Sequence, residues 1–595
     1  MNSVHIQPLL DSLRAGQLSR RAFVRRATAM GISASAATMM ARHALAQDAS
    51  PAASPVAGGT KSITRQEYLA QLKEHFELEE PQQEGGQIIY VETTDIRTLH
   101  PHLYTDVYSG LISGYIYEFL AGGSAIDGTP VPSLADYWEV ADDGVTHTFY
   151  IAENATWHDG EPVTADDVVF SFESMLDENT LSVRRSGVAL ALASVNKVDD
   201  KTVQLVSNEP MATFVQETAG TVGIIPKHIW ESVDIAEWGA DPGSTGQDPS
   251  RVIGSGPFRF VEWVLGDHAT IERNPDYWDQ ENVPVIDQLI YRVVADPASA
   301  VASLQTGEAD IIEVPFATAD ELRQSNPELV LTEFDTTSMN YYYTNQDESR
   351  GTPFTEIPVR QALHYALDRD LIAETVYNGY AIRAVGTQPV LSIAYDPESV
   401  ETDYVYDPDM ARQLLDEAGW TEGGDGIREK DGNRLSFELL YAEGSATYEV
   451  QIPYMQQAWL DVGIEMLPTA VPFPTLIEQA TAGNFDMAIA GFQWTVDGSQ
   501  GDMFRCDAAP PNGFNRMRYC NERYDELDVQ QRRELDPDRR IELLLEQSNI
   551  ANNEAAAGIN VFSRDIFGSN PRVHNFLPNG YSNYWSLQWA WVEQD

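Results

Sequence analysis

Hydrophobic positions along this chain recur with two different periods, and their alternation from residue 85 onward predicts an α/β fold. Ahead of that point, Ile63, Tyr68, Leu72 and Phe76 recur at helical spacing with charges between them. This predicts an amphipathic helix within 61–80, stopped by Pro81. Short apolar runs then read as strands at 87–93, 147–151, 202–206, 290–294, 437–441 and 485–490. Thr164, followed by Asp166 and Asp167, marks the start of a helix over 164–176, because a hydroxyl and carboxylates satisfy the free N–H groups of a first turn. Further helices are predicted over 297–306, 359–377, 409–418 and 448–462, each closed by a glycine shortly after its end. No repeat of fixed period is present.

The first 46 residues do not belong to this pattern. Residues 18–26 are basic (LSRRAFVRR), residues 27–41 are small and weakly apolar, and Ala44-Leu45-Ala46 is a small-x-small cleavage site. That order is a secretory signal, and Arg20-Arg21 between Ser19 and Phe23 is similar to a twin-arginine export signal. The mature chain is expected to begin near Gln47. An uncleaved signal would instead tether the protein to the membrane, although the apolar run is short and Ala/Ser-rich for a span. No cysteine follows the signal to carry a lipid. Residues 47–60 are rich in Pro, Ala, Ser and Gly, the composition of a flexible tether. Residues 47–84 thus read as linker plus short helix.

Composition narrows the class of function. A chain of 595 residues exceeds one compact core. A net charge of −53 repels phosphate backbones and anionic lipid surfaces, so nucleic acid is excluded as a partner; the charge otherwise keeps a protein soluble. His100-Pro101-His102 lacks a third metal ligand nearby, and neither metal nor cofactor is expected. Nucleophile elbow, HExxH and phosphate loop are all missing. With 91 acidic residues, carboxylate pairs decide nothing about catalysis. Cys506 and Cys520, fourteen positions apart, could close a disulfide, the better reading for an exported chain; two buried free thiols are the alternative.

Several motifs stand in a telling order. Residues 155–170 read ATWHDGEPVTADDVVF, preceded by Trp138-Glu139-Val140 and followed by Gly254-Ser255-Gly256-Pro257-Phe258. Asn274-Pro275-Asp276-Tyr277-Trp278, Gly307-Glu308-Ala309-Asp310, Val359-Arg360-Gln361-Ala362 with Asp368-Arg369, and Ala418-Gly419-Trp420 come next. The series resembles the family 5 solute-binding proteins, the extracytoplasmic dipeptide- and oligopeptide-binding components of ABC importers. The match spans most of 85–560. The motif residues make sense as turns, caps and bends, so they identify the family without marking its site.

The resemblance implies a two-lobed periplasmic-binding-protein-like α/β fold, with a hinge and a ligand cleft between the lobes. Lobe 1 would comprise 85–333 plus 561–595 and lobe 2 would comprise 334–560, with crossings near 331–339 and 556–562. The implied function is that of a monomeric, exported, periplasmic or cell-surface binder without enzymatic activity. It would pass a small solute, a peptide above all, to ABC permease subunits. In peptide-binding members an aspartate shortly after a tryptophan receives the ligand's α-amino group, and Asp497, three residues past Trp494, occupies that place. The family's Asp-Pro pair does not follow; the chain continues GSQGDMFRC, which leaves sugars, haem and metal chelates open as ligands. Arg505 reads as structural. An exported hydrolase, or an extracellular sensor or chaperone on the same fold, is the alternative function.

Overall fold

The amino-terminal helix shows how local sequence fixes an element. In the computed structural model, which describes residues 60–510 and 513–594, it spans Arg65–His75. Thr64 and Glu67 cap its first turn reciprocally, and Tyr68, Leu69 and Leu72 are buried against Ala125 and Val131. Arg65 pairs with Asp279 and lies over the Trp278 ring, 4.6 Å from its centre. Thr60–Lys61 adds a strand to the edge of the sheet at Glu139–Val140. The segment expected to link therefore joins the fold from residue 60 onward. The export signal and the tether lie outside the described residues.

Two sheets organise the first lobe. A five-stranded antiparallel sheet runs, in order, Thr60–Lys61, Ala135–Val140, Thr146–Ile151, Thr202–Ser207 and Leu192–Lys197. Helix Ala165–Leu176 packs on it through Val168, Phe172 and Met175, with Thr164 and Asp167 forming its cap as its sequence predicts. The second sheet continues through the whole molecule. In its first-lobe half Gln87–Glu92 runs parallel to Gln288–Val293 on one side and Ile311–Glu313 on the other. Ile88, Tyr90 and Val91 are all buried, as a central parallel strand covered on both faces requires. In its second-lobe half Ser436–Ala442 runs parallel to Glu465–Val471 and Met487–Gln493.

Two long antiparallel strands, Val330–Thr344 and Gly558–Ser569, join the halves. Ser569, Gly568 and Phe567 pair with the first-lobe strand Ile311–Glu313. Ser338–Thr344 pairs with the second-lobe strand Met487–Gln493. Between these ends the ladder breaks: pairing stops at Asp335↔Arg564 and resumes at Met339↔Phe562. Irregular pairing of this kind bends and twists a strand pair. Side chains bridge the gap instead, the Thr336 hydroxyl donating to Ser563 O at 2.9 Å and Arg564 Nε to Asp335 Oδ1 at 2.7 Å.

The family motifs are joints. His158 Nε2 donates to Gly256 O at 3.0 Å and Nδ1 accepts from Gly254 N at 3.2 Å, tying the HDG turn to the GSGP turn. A side chain at Gly254 or Gly256 would run into the carbonyl oxygens of Ile116 and Tyr115. One expected element differs. The helix expected over 359–377 is two helices, Ile357–Tyr365 and Arg369–Thr375. Asp368 interrupts it by capping the second with its carboxylate at Leu371 N, while its own N–H donates to Tyr454 Oη. Arg369 is buried and donates to the carbonyls of Ala384, Ile559 and Tyr404, which fixes the break.

Candidate ligand cleft

The loop that leaves strand Met487–Gln493 lies directly against the broken part of the hinge ladder. Trp494 N donates to Thr337 O at 3.2 Å, and the Thr337 hydroxyl donates back to Trp494 O. The Trp494 ring packs on Phe492, 4.7 Å between centres. Gly498 then turns the chain with φ at +85°, and Gln388 Nε2 donates to its carbonyl. This turn carries Asp497 inward: 4% of its surface is exposed.

Asp497 is not a free carboxylate. Arg540, on helix Pro537–Asn553, reaches both its oxygens, at 2.7 and 2.9 Å, in a forked pair. Gln531 holds the same guanidinium through its backbone and side-chain oxygens. The expectation of a loop carboxylate awaiting a ligand ammonium thus meets an occupied one. Sequence reasoning did not find Arg540, since an arginine 43 positions away on a charged helix carries no signal of its target.

A cavity of about 690 Å³ opens beside this loop. One wall is helix Arg185–Ala191 with Asn208, Met211 and Glu217; the facing wall includes Trp494, Ser499, Asp502, Arg505, Asp528 and Arg532. Trp494 lines it and Asp497 lies behind the wall. Direct contacts close one rim, where Ala212 N donates to Arg532 O at 2.9 Å and Arg533 pairs with Glu209. Arg505 and Arg532 both bind Asp528, which is fully buried and also accepts from Gln531 and Gln547. Arg505 therefore has the structural role its sequence context suggested. Glu217 lines the cavity and is reached by solvent. Partial desolvation by the surrounding walls, with the negative charges of Asp497 and Asp502, raises its carboxyl toward about 7.

A second hollow of about 400 Å³ opens beside the first part of the same loop, lined by Ser338, Asn340, Tyr448, Phe492 and Gln493 among others. Asn340 Oδ1 accepts from the buried amides of Gln451 and Asn560, which orients its amide group. Cys506 and Cys520 are bonded to each other, Cα atoms 4.4 Å apart. The loop they close is held by Asn515, whose amide donates to Arg505 O and Tyr519 O.

His100 and His102 are core residues. His100 lies between Trp230 and Trp238, His102 Nε2 bonds Gly223 O at 2.8 Å, and burial holds both below the usual imidazole range. Among the described residues no cluster of three or more His, Cys, Asp or Glu is placed to hold a metal.

The profile of bacterial extracellular solute-binding proteins, family 5, matches residues 129–514. This chain is a family 5 solute-binding protein. Among relatives, the oligopeptide-binding protein AppA of Bacillus subtilis is 31% identical over 449 residues, covering 75% of this chain and 80% of AppA. A di/tripeptide-binding protein of Pseudomonas aeruginosa is 28% identical, covering 80% of this chain and 89% of its own. The solved AppA structure in complex with a nonapeptide superposes with a TM-score of 0.73 at 26% identity, over 87% of this chain and all of AppA. NikZ of Campylobacter jejuni, solved with Ni(L-His), shares the fold with a TM-score of 0.71 at 20% identity, over 85% of this chain and 99% of NikZ. As a family 5 solute-binding protein, the chain is an extracytoplasmic binder with two lobes about one cleft.

Proposed function

We propose that this solute-binding protein captures peptides between its lobes and delivers them to the permease of an ABC importer, without turning them over. The observation that carries the reading is the cavity lined from two sides, by helix Arg185–Ala191 and by the Trp494 loop, next to a pair of hinge strands whose ladder is interrupted. Sites between lobes are where small ligands are held in water-poor surroundings. The peptide-binding names of its relatives support peptide over the other solutes of the fold.

Lobe 1 is assigned to 85–333 with 561–595, together with the docked helix Arg65–His75, and lobe 2 to 334–560. Trp494 is the ligand-contacting residue of the second lobe, and Asp497 acts through Arg540 rather than by direct contact. The protein is exported as a monomer by a twin-arginine signal over 1–46. Replacing Arg20 and Arg21 by lysine should retain the precursor inside the cell, and normal export of that variant would contradict the twin-arginine route.

The binding function is tested by incubating the purified chain with a defined pool of peptides two to nine residues long and identifying retained species by mass spectrometry. Stoichiometric retention of intact peptides is expected. Retention of none, or recovery of cleaved products, would refute the reading.

A further inference from the structure

The cleft has a carboxylate that its neighbours do not neutralise. Asp497, Asp502 and Asp528 each have an arginine, through Arg540, Arg505 and the Arg505–Arg532 pair, and Glu209 has Arg533. Glu217 takes part in no ion pair among the described residues, although it lines the cavity. It sits in the turn Val215–Ala219 on the first lobe. Of the elements packed on that turn, helix Arg185–Ala191 has one ionisable side chain, Arg185, whose Nε is spent on Asp177 O at 2.8 Å, and strand Ala121–Gly123 has none. From the second lobe Glu217 is faced by Asp497, Asp502 and Arg540, and Arg540 is already committed to Asp497. Like charges gathered around the cavity favour a positive group from outside.

We infer that Glu217, on the first lobe, receives a primary ammonium group of the bound peptide, the role that Asp497 cannot fill while Arg540 holds it. This rests on the peptide reading above. It places amine recognition on the opposite wall from Trp494, so an ammonium-bearing peptide ties the two lobes together as it binds.

The test uses three peptide pools: free amino termini without lysine, acetylated amino termini without lysine, and acetylated amino termini with one lysine. Wild type should retain free-amine peptides about tenfold better than acetylated lysine-free ones at pH 7.5. If the lysine pool is retained as well as the free-amine pool, the side-chain ammonium serves; if not, the α-ammonium is the partner. Glu217→Gln should bring the pools to near equality. Glu217→Asp should keep part of the discrimination, and unchanged melting temperatures should show both variants folded. Discrimination that survives in Glu217→Gln, or equal retention of all pools by wild type, overturns the assignment while leaving peptide capture intact. Retention of no pool overturns peptide capture and this assignment together.

Discussion

Both carboxylate oxygens of Asp497 are bound by the guanidinium of Arg540, at 2.7 and 2.9 Å, with 4% and 7% of the two residues exposed. Removing one partner of a buried pair strands the other charge, a loss of roughly 3–5 kcal/mol. Asp497→Ala and Arg540→Ala are each expected to lower stability by that amount in urea unfolding. The double variant should lose much less than the sum, and additive losses would show that the pair is not coupled.

His158 makes the family motif a structural joint. His158→Ala leaves Gly254 N–H and Gly256 C=O without their side-chain partner, a cost of about 1–3 kcal/mol. Burial holds this imidazole down at about 4, so the fold carries it neutral. The stability it confers is complete above pH 6.5 and is lost as pH falls from 6.5 toward 4. His158→Gln should reduce the acid sensitivity of the melting temperature in that window without altering peptide retention. Lost retention in a folded variant would place His158 in the binding site instead.

A group of carboxyls beside the crossing strands titrates in the opposite direction. Glu92, Glu313 and Asp565 lie together at the first-lobe end of the crossing strands, where burial and their mutual charge push Glu313 up to about 8 and Glu92 up as well, and burial lifts Asp565 to about 6. Carboxyls raised in this way add stability below the ordinary carboxyl range and lose it as pH rises toward 8. Glu313→Gln should therefore stabilise the protein at pH 8 but not at pH 4. The gain, after screening by the solvent that reaches Glu313, is on the order of 1 kcal/mol. Melting curves at the two pH values decide the matter, and equal shifts at both would contradict it.

Much of this was legible from hydrophobic spacing and turn chemistry. The helix over 297–306 closed at Gly307, and the cap at Thr164, both stand where their residues put them. The 359–377 helix did not, because its break is set by partners remote in sequence, Tyr454, Ala384 and Ile559, that local periodicity does not contain. The cleft follows the same division. Trp494, singled out by its motif, lines the cavity, whereas Arg540 and Glu217 become visible only when the fold brings residues 497, 540 and 217 to one place.

The bond between Cys506 and Cys520 closes a short loop next to the cavity wall. Loss of both cysteines, as Cys506→Ser with Cys520→Ser, should cost about 3 kcal/mol in the chain-entropy account. A non-reduced digest of the exported protein should contain the two peptides joined; two alkylatable thiols would refute the bond.

The central claim is that ligand occupies the interlobe cavity. Gly187 lines its first-lobe wall on helix Arg185–Ala191, and a Cβ placed there meets nothing within 4 Å. A Gly187→Trp substitution therefore adds bulk at this wall without a backbone clash at its Cβ. Peptide affinity, measured by isothermal titration with a peptide that wild type retains, should fall at least a hundredfold, about 2.7 kcal/mol, with the melting temperature little changed. Undiminished affinity in a folded Gly187→Trp protein would contradict the claim.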